Sequence, residues 1–285
     1  MAKVAVVTDT TACIPEEMMR GLPIIEIPLN VIFGEETLLD RKDISPENFY
    51  TRLEGSKVSP TTSQPSPAAF VDLYDQLLRD GHDILTLTIS SKLSGTSDSA
   101  IQAEKTLGDQ PIELIDSLST SMAMGYSALL AARAASQGGT LQDCKIIAEK
   151  AIAHSGILLV VDTLEYLHRG GRIGGAAAFL GTALNLKPVL EVVDGRIEPV
   201  ERVRTKSKAM DRLVELFMER VGNQRPIRVA VLHANAANEA EMVMKKLRTL
   251  FPVNDISEAI VSSVSPVIGT HTGPGTVGIA WVAGV

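Results

Sequence analysis

Three short runs set the frame for this chain: KVAVVTDT (3–10), HDILTLTIS (82–90) and PIELIDS (111–117). Each is a brief apolar stretch closed by hydroxyl or acidic side chains, and each feeds a helix-like segment. A short apolar run of this kind suits a strand buried on both faces of a parallel sheet. The helical segments carry their own signals. SPENFYTRLEG places Ser45 as a cap with Pro46 and Glu47 in the first turn. PAAFVDLYDQLLRDG aligns Phe70, Leu73, Leu77 and Leu78 in one stripe, and TLQDCKIIAEKAIAH is capped by Thr140. SGTSDSAIQAEKTLG and the small-residue segment SMAMGYSALLAARAASQG complete the set. This alternation predicts an N-terminal α/β domain, residues 1–155, with a mostly parallel sheet and helices on both faces. The Pro- and Ser-rich SPTTSQPSP carries no regular pattern and reads as a loop.

Beyond residue 155 the rhythm changes. GILLVVDT, IRVAVLHA, DISEAIVSSV and GTVGIAWV read as strands, and KPVLEVVDGRIEPVERV reads as a hairpin turning at Asp194-Gly195. LEYLHRGGRIGGAAAFLGTAL reads as helical around a glycine interruption, and further helices are expected at 206–221 and in NEAEMVMKKLRTLF. The expectation is a C-terminal α+β domain, residues 156–285, giving a two-domain α/β protein overall.

Composition removes several function classes. A formal charge of −7 and 4% aromatic residues argue against a phosphate-backbone footprint or a stacking platform for single strands, so no nucleic-acid partner is expected. The two cysteines, Cys13 and Cys144, lack metal-type spacing and read as thiols of a reducing compartment. No His/Cys/Asp cluster has metal-site spacing, and no cofactor is expected. The first apolar run stops at Thr8-Asp9, too soon for a signal peptide. The stretch from Ala259 to Val285 carries no Lys, Arg, Asp or Glu, but Pro266, Pro274 and its glycines break it as a membrane span. A cytoplasmic protein without stable membrane insertion is expected.

Four polar places remain. SPTTSQPSP supplies hydroxyls without charge. In TISSKLSGTSDSA, Ser94 and Gly95 stand between a strand and a helix, where unpaired N–H groups and the positive helix end receive anions and where open α/β sheets bind ligands. Simple capping by Ser94 or Thr96 is the other reading. The loop is neither a P-loop nor a nucleophile elbow. LHRGGRIGG sets Arg169 and Arg172 around paired glycines, and GTHTGPGT holds His271 in a bendable, charge-free setting.

Six marks in this order, VVTDTTA, TTSQPSPAAF, SSKLSGTSDSA, LHRGGRIG, VRTKSKA and THTGPGTVG, run through essentially the whole chain. Together they resemble the DegV family, bacterial fatty-acid-binding proteins that serve as the lipid-binding subunit of fatty acid kinase. The resemblance implies a long-chain fatty acid as ligand, with Thr62, Ser94 and His271 on its carboxylate and the Gly95 N–H as a helper. It places Arg172 and Arg204 at positions linked to work with the fatty acid kinase catalytic subunit. It implies a carrier that catalyses nothing alone. The helices MAMGYSALLAARAA and GGAAAFLGTALNL are candidates for the walls of the lipid tunnel. The competing reading is a lipid esterase or thioesterase in which His271 activates Ser94, with Asp9 or Asp116 as the orienting acid.

Overall fold

The computed structural model describes residues 3–56, 58–181 and 186–285. The first half runs β1 (Lys3–Asp9), α1 (Glu16–Met19), β2 (Ile24–Ile27), β3 (Asn30–Phe33), β4 (Glu36–Leu39), α2 (Pro46–Gly55), β5 (Thr61–Ser63) and α3 (Pro67–Arg79). It continues through β6 (His82–Thr88), α4 (Thr96–Leu107), β7 (Ile112–Asp116), α5 (Ser121–Ser136) and α6 (Leu141–Ala153). The three apolar runs become β1, β6 and β7, which with β2 form a four-stranded sheet of order β2-β1-β6-β7, parallel throughout. Alternation along β1 sends Ala5 and Val7 toward Phe70 and Tyr74 of α3 and Ala100 of α4. Val4 and Val6 join the opposite core with Met122 and Tyr126 of α5 and Cys144 of α6. Helices thus cover both faces, as the alternation predicts. Both cysteines are free and buried.

One sheet was not legible in the sequence. β4, β3 and β5 form a small antiparallel sheet in which Val31 pairs with Thr62. Residues 61–63, expected to be irregular, are therefore a strand. At three residues between Pro60 and Pro65 it is too short to show an alternation.

The second half runs β8 (Ser155–Val160), α7 (Glu165–Arg169), a 3-10 turn (Gly174–Phe179), β9 (Lys187–Val193), β10 (Arg196–Val203) and α8 (Lys206–Val221). It ends with β11 (Ile227–His233), α9 (Ala237–Leu250), β12 (Ile256–Ser263), α10 (Pro266–Thr272) and β13 (Val277–Ala283). Six strands form a sheet of order β10-β9-β8-β13-β11-β12, antiparallel except for the β11–β12 pair. The expected hairpin turns at Asp194 and Gly195, both at positive φ. Helices α8 and α9 cover one face through Leu213, Phe217, Met244 and Leu247 against Trp281. The other face, with Ile157, Leu159 and Ala280, belongs to the same apolar cluster as α5.

Helix α5 joins the two halves. It is buried along nearly its whole length, and its Tyr126 hydroxyl donates to the Val229 carbonyl of β11 at 2.9 Å. No described helix is long and apolar enough to cross a membrane.

Candidate ligand site

The site is assembled from four pieces of chain that end near one another. The turn after β6 carries Ser94, and α4 begins with Gly95 as its N-cap, so Ser94 does not cap the helix. Its hydroxyl instead lies 2.9 Å from that of Thr96. A Cβ on Gly95 would stand 2.8 Å from the Gln64 amide nitrogen, so the Gln64 side chain lies close across this helix start. Strand β5 presents Thr62.

His271 corrects one expectation. It stands on α10 rather than on a bendable glycine loop. Ser265 accepts a hydrogen bond from the Ile268 N–H, and Pro266 occupies the first turn. Gly269 lies inside this helix, where a Cβ would stand 2.4 Å from the Tyr50 hydroxyl. The glycine therefore serves close packing of α10 on α2. The buried Asp40 carboxylate adds a second anchor by accepting from the Val267 N–H at 3.3 Å and from the Thr10 hydroxyl at 2.7 Å.

His271 Nε2 and Thr62 Oγ1 share a hydrogen bond of 2.7 Å, across 209 residues of sequence. Nδ1 is buried without a partner among the described residues. It faces the backbone of Gly170, where a Cβ would stand 2.1 Å from it. Gly170 of LHRGGRIGG is thus explained by the imidazole it admits, and Gly171 by its positive φ of 72°. Burial, aided by the nearby Arg172 charge, lowers the His271 pKa to about 4, so the ring is neutral at pH 7. Arg172 donates through Nε to the Leu93 carbonyl at 2.9 Å and through a terminal nitrogen to the Gly170 carbonyl at 2.6 Å. Its charge meets carbonyl oxygens, and among the described residues it forms no ion pair.

Thr62, Gln64, Ser94, Arg172 and His271 all line one pocket, a space of about 880 Å³ that is continuous with solvent. The remaining wall is mostly aliphatic, with Leu159, Leu167, Ile197 and Leu232 among its members. A second space of about 660 Å³ shares Thr62, Arg172 and His271 with it and is bordered by Ser59, Thr61, Tyr166 and Arg169. Arg169 is exposed there and bonds Glu165 and Ser59.

Not every expected residue arrives. Arg204 is exposed in the turn between β10 and α8 and does not line the cavity. The expected tunnel helices do not line it either. Residues 122–135 of α5 are largely buried between the two large sheets, where small side chains serve close helix–sheet approach. The described residues 174–181 lie outside the lining, and residues 182–185 of GGAAAFLGTALNL fall outside the described residues. The apolar wall comes instead from the six-stranded sheet and α10, joined by Leu29, Ile89, Leu93 and Leu167. Ser94 and His271 are not bonded to each other, and neither candidate acid reaches the imidazole. Asp9 accepts from the N–H groups of Thr11 and Ile89, with burial raising its pKa to about 6, and Asp116 accepts from those of Ser91 and Leu118. Gln64 was missed in the sequence, although its offset of two from Thr62 on an extended segment places it on the same face.

Fold and site together define an α/β protein with a mainly aliphatic pocket whose wall also carries hydroxyls, an imidazole and a guanidinium. The DegV family model matches residues 3–284, and the chain belongs to that family. A DegV domain-containing protein of Streptomyces coelicolor is 40% identical over 277 residues, covering 97% of each chain. Among solved structures, a DegV family protein of Thermus thermophilus, described for fatty acid binding, superposes with a TM-score of 0.92 at 33% identity over 99% of each chain. DegV of Bacillus subtilis, described as a fatty acid binding protein, superposes with a TM-score of 0.89 at 36% identity over 99% of this chain and 100% of that one.

Proposed function

We propose that this protein binds a long-chain fatty acid, its carboxylate held by Thr62, Ser94 and His271 and its tail lying in the aliphatic cavity. The observation that carries the reading is the mixed lining of that pocket. Three neutral hydrogen-bonding side chains from β5, the β6–α4 turn and α10, two of them bonded to each other, share a wall that is otherwise mainly aliphatic. A tail of about 15 methylenes offers on the order of 12 kcal/mol of gross transfer energy, of which only the surplus over binding costs appears as affinity. The family relationship supports the same ligand, since relatives of similar fold are described as fatty acid binding proteins.

The protein acts as a cytoplasmic carrier that presents the carboxylate to a separate ATP-dependent fatty acid kinase and is not catalytic alone. The separate hydrogen bonds of Ser94 and His271 favour this over an esterase dyad. Arg172 stands between the two cavities, where its guanidinium suits the added charge of an acyl phosphate. Exposed Arg204 contributes from the surface toward the kinase. Palmitate binding and acyl-phosphate formation with such a kinase, measured side by side, test the account. Ser94→Ala loses both. Arg172→Ala retains palmitate and loses most acyl phosphate, and equal loss of palmitate would overturn this division of labour.

A further inference from the structure

The pocket has a further pair of hydroxyl side chains besides those of Ser94 and Thr62. Thr120 and Ser121 line the same space at the start of α5. They are 8% and 4% exposed; among the described residues the Thr120 hydroxyl has no partner, while that of Ser121 lies against the Cys13 thiol. Thr120 is the N-cap of a 16-residue helix, yet its side chain makes no capping bond. An N-cap threonine ordinarily satisfies an N–H of the first turn with its hydroxyl. Here that turn keeps its unpaired donors and the positive end of the helix dipole. Ser121 sits at φ +54°, a left-handed conformation that costs a non-glycine residue free energy and persists only where surrounding structure imposes it. An unpaired buried hydroxyl is costly, and that of Thr120 borders this space.

We infer that the start of α5 is a subsite for a neutral oxygen substituent, a hydroxyl or keto group, carried on the acyl chain. The inference rests on the fatty acid reading of the cavity. The chemistry selects the substituent. The hydroxyls can donate or accept and the backbone N–H groups donate, which matches an alcohol or a ketone. No lining side chain is acidic, and the two basic ones, Arg172 and His271, belong to the carboxylate end, so a second carboxylate would be buried without a cation. The Ser90 N–H donates to the Ser119 carbonyl at 2.8 Å, tying the loop before α5 to the one that carries Ser94. One ligand chain can therefore meet both groups.

Competition binding on delipidated protein tests this with stearic acid and its 3-, 10- and 12-hydroxy derivatives. The wild type is expected to bind at least one hydroxy isomer as tightly as stearic acid. Thr120→Val, which keeps the side-chain shape and has no capping bond to lose, is expected to leave stearic acid unchanged. It should weaken that isomer by about threefold to tenfold, the worth of one hydrogen bond. Ser121→Gly, which accepts the left-handed backbone, is expected to act in the same direction. The inference is overturned if every hydroxy isomer binds the wild type more weakly than stearic acid. It is equally overturned if Thr120→Val and Ser121→Gly shift stearic acid and its hydroxy isomers by the same factor. A wild type that binds no stearic acid would instead remove the fatty acid reading on which the subsite rests.

Discussion

The electrostatics of the site reduce to one ring. His271 is held neutral because burial disfavours its charged form and Arg172 adds repulsion, bringing its pKa to about 4. A neutral imidazole and hydroxyls can hold a carboxylate without adding a second fixed positive charge beside Arg172. The consequence for stability has a definite sign. Between about pH 6.5 and pH 4 the unfolded chain takes up a proton here that the folded chain refuses, so this residue's contribution falls as pH falls, by roughly 3 kcal/mol across the window. Buried Asp9 and Asp40, with pKa raised to about 6, work the other way, since their contribution is largest at low pH and fades as pH rises through 6. The comparison that isolates His271 is therefore wild type against His271→Asn. Relative to the variant, the wild type should lose stability as pH drops from 6.5 to 4, and the ring should titrate by NMR near 4. A titration midpoint near 6.5 would contradict the buried, neutral ring.

At the scale of elements, α10 is the part that decides whether His271 meets Thr62. It is held by the Ser265 cap, by Asp40 on the Val267 N–H and by contact of Gly269 with Tyr50. After the helix, Lys206 at the start of α8 donates to the Gly275 carbonyl at 2.9 Å and pairs with Asp162, fixing the exit of the chain. Gly269→Ala should cost about 1–3 kcal/mol through overpacking and weaken palmitate binding, because α10 must shift. Thr140→Ala, which breaks the capping box of the distant α6, should cost about 1 kcal/mol and leave palmitate binding alone. Chemical denaturation with parallel binding checks the pair, and equal effects of the two on binding would remove α10's special role. This helix was readable in the sequence. Ser265-Pro266 repeats the Ser-Pro start seen at Ser45-Pro46 and Ser66-Pro67. The surrounding glycines hide it, because Gly269, Gly273 and Gly275 together suggest a loop, whereas Gly269 packs inside the helix and Gly273 ends it.

Across the whole molecule, the parallel core declared itself in the sequence because each strand is a short apolar run bounded by turn residues. Ser94 and His271 were legible through local chemistry and the family marks. The cavity wall was not, because its members are spread over strands whose pairing no local pattern gives. The row Leu159–Gly278–Leu232 runs across β8, β13 and β11, and all three residues line the cavity. Gly278 is the gap in that row, a strand interior without a side chain where a ligand approaches the backbone. Gly278→Leu should therefore shorten the space and shift the bound acyl chains toward fewer carbons. An unchanged chain-length distribution in the folded variant would place the tail elsewhere.

The central claim is tested most directly by native mass spectrometry of the purified protein, followed by denaturation and extraction of what is released. The account predicts an added mass matching a long-chain fatty acid, close to one per chain, and its loss in the Ser94→Ala, His271→Ala double variant. A protein that is empty and takes up no fatty acid when offered one would contradict it.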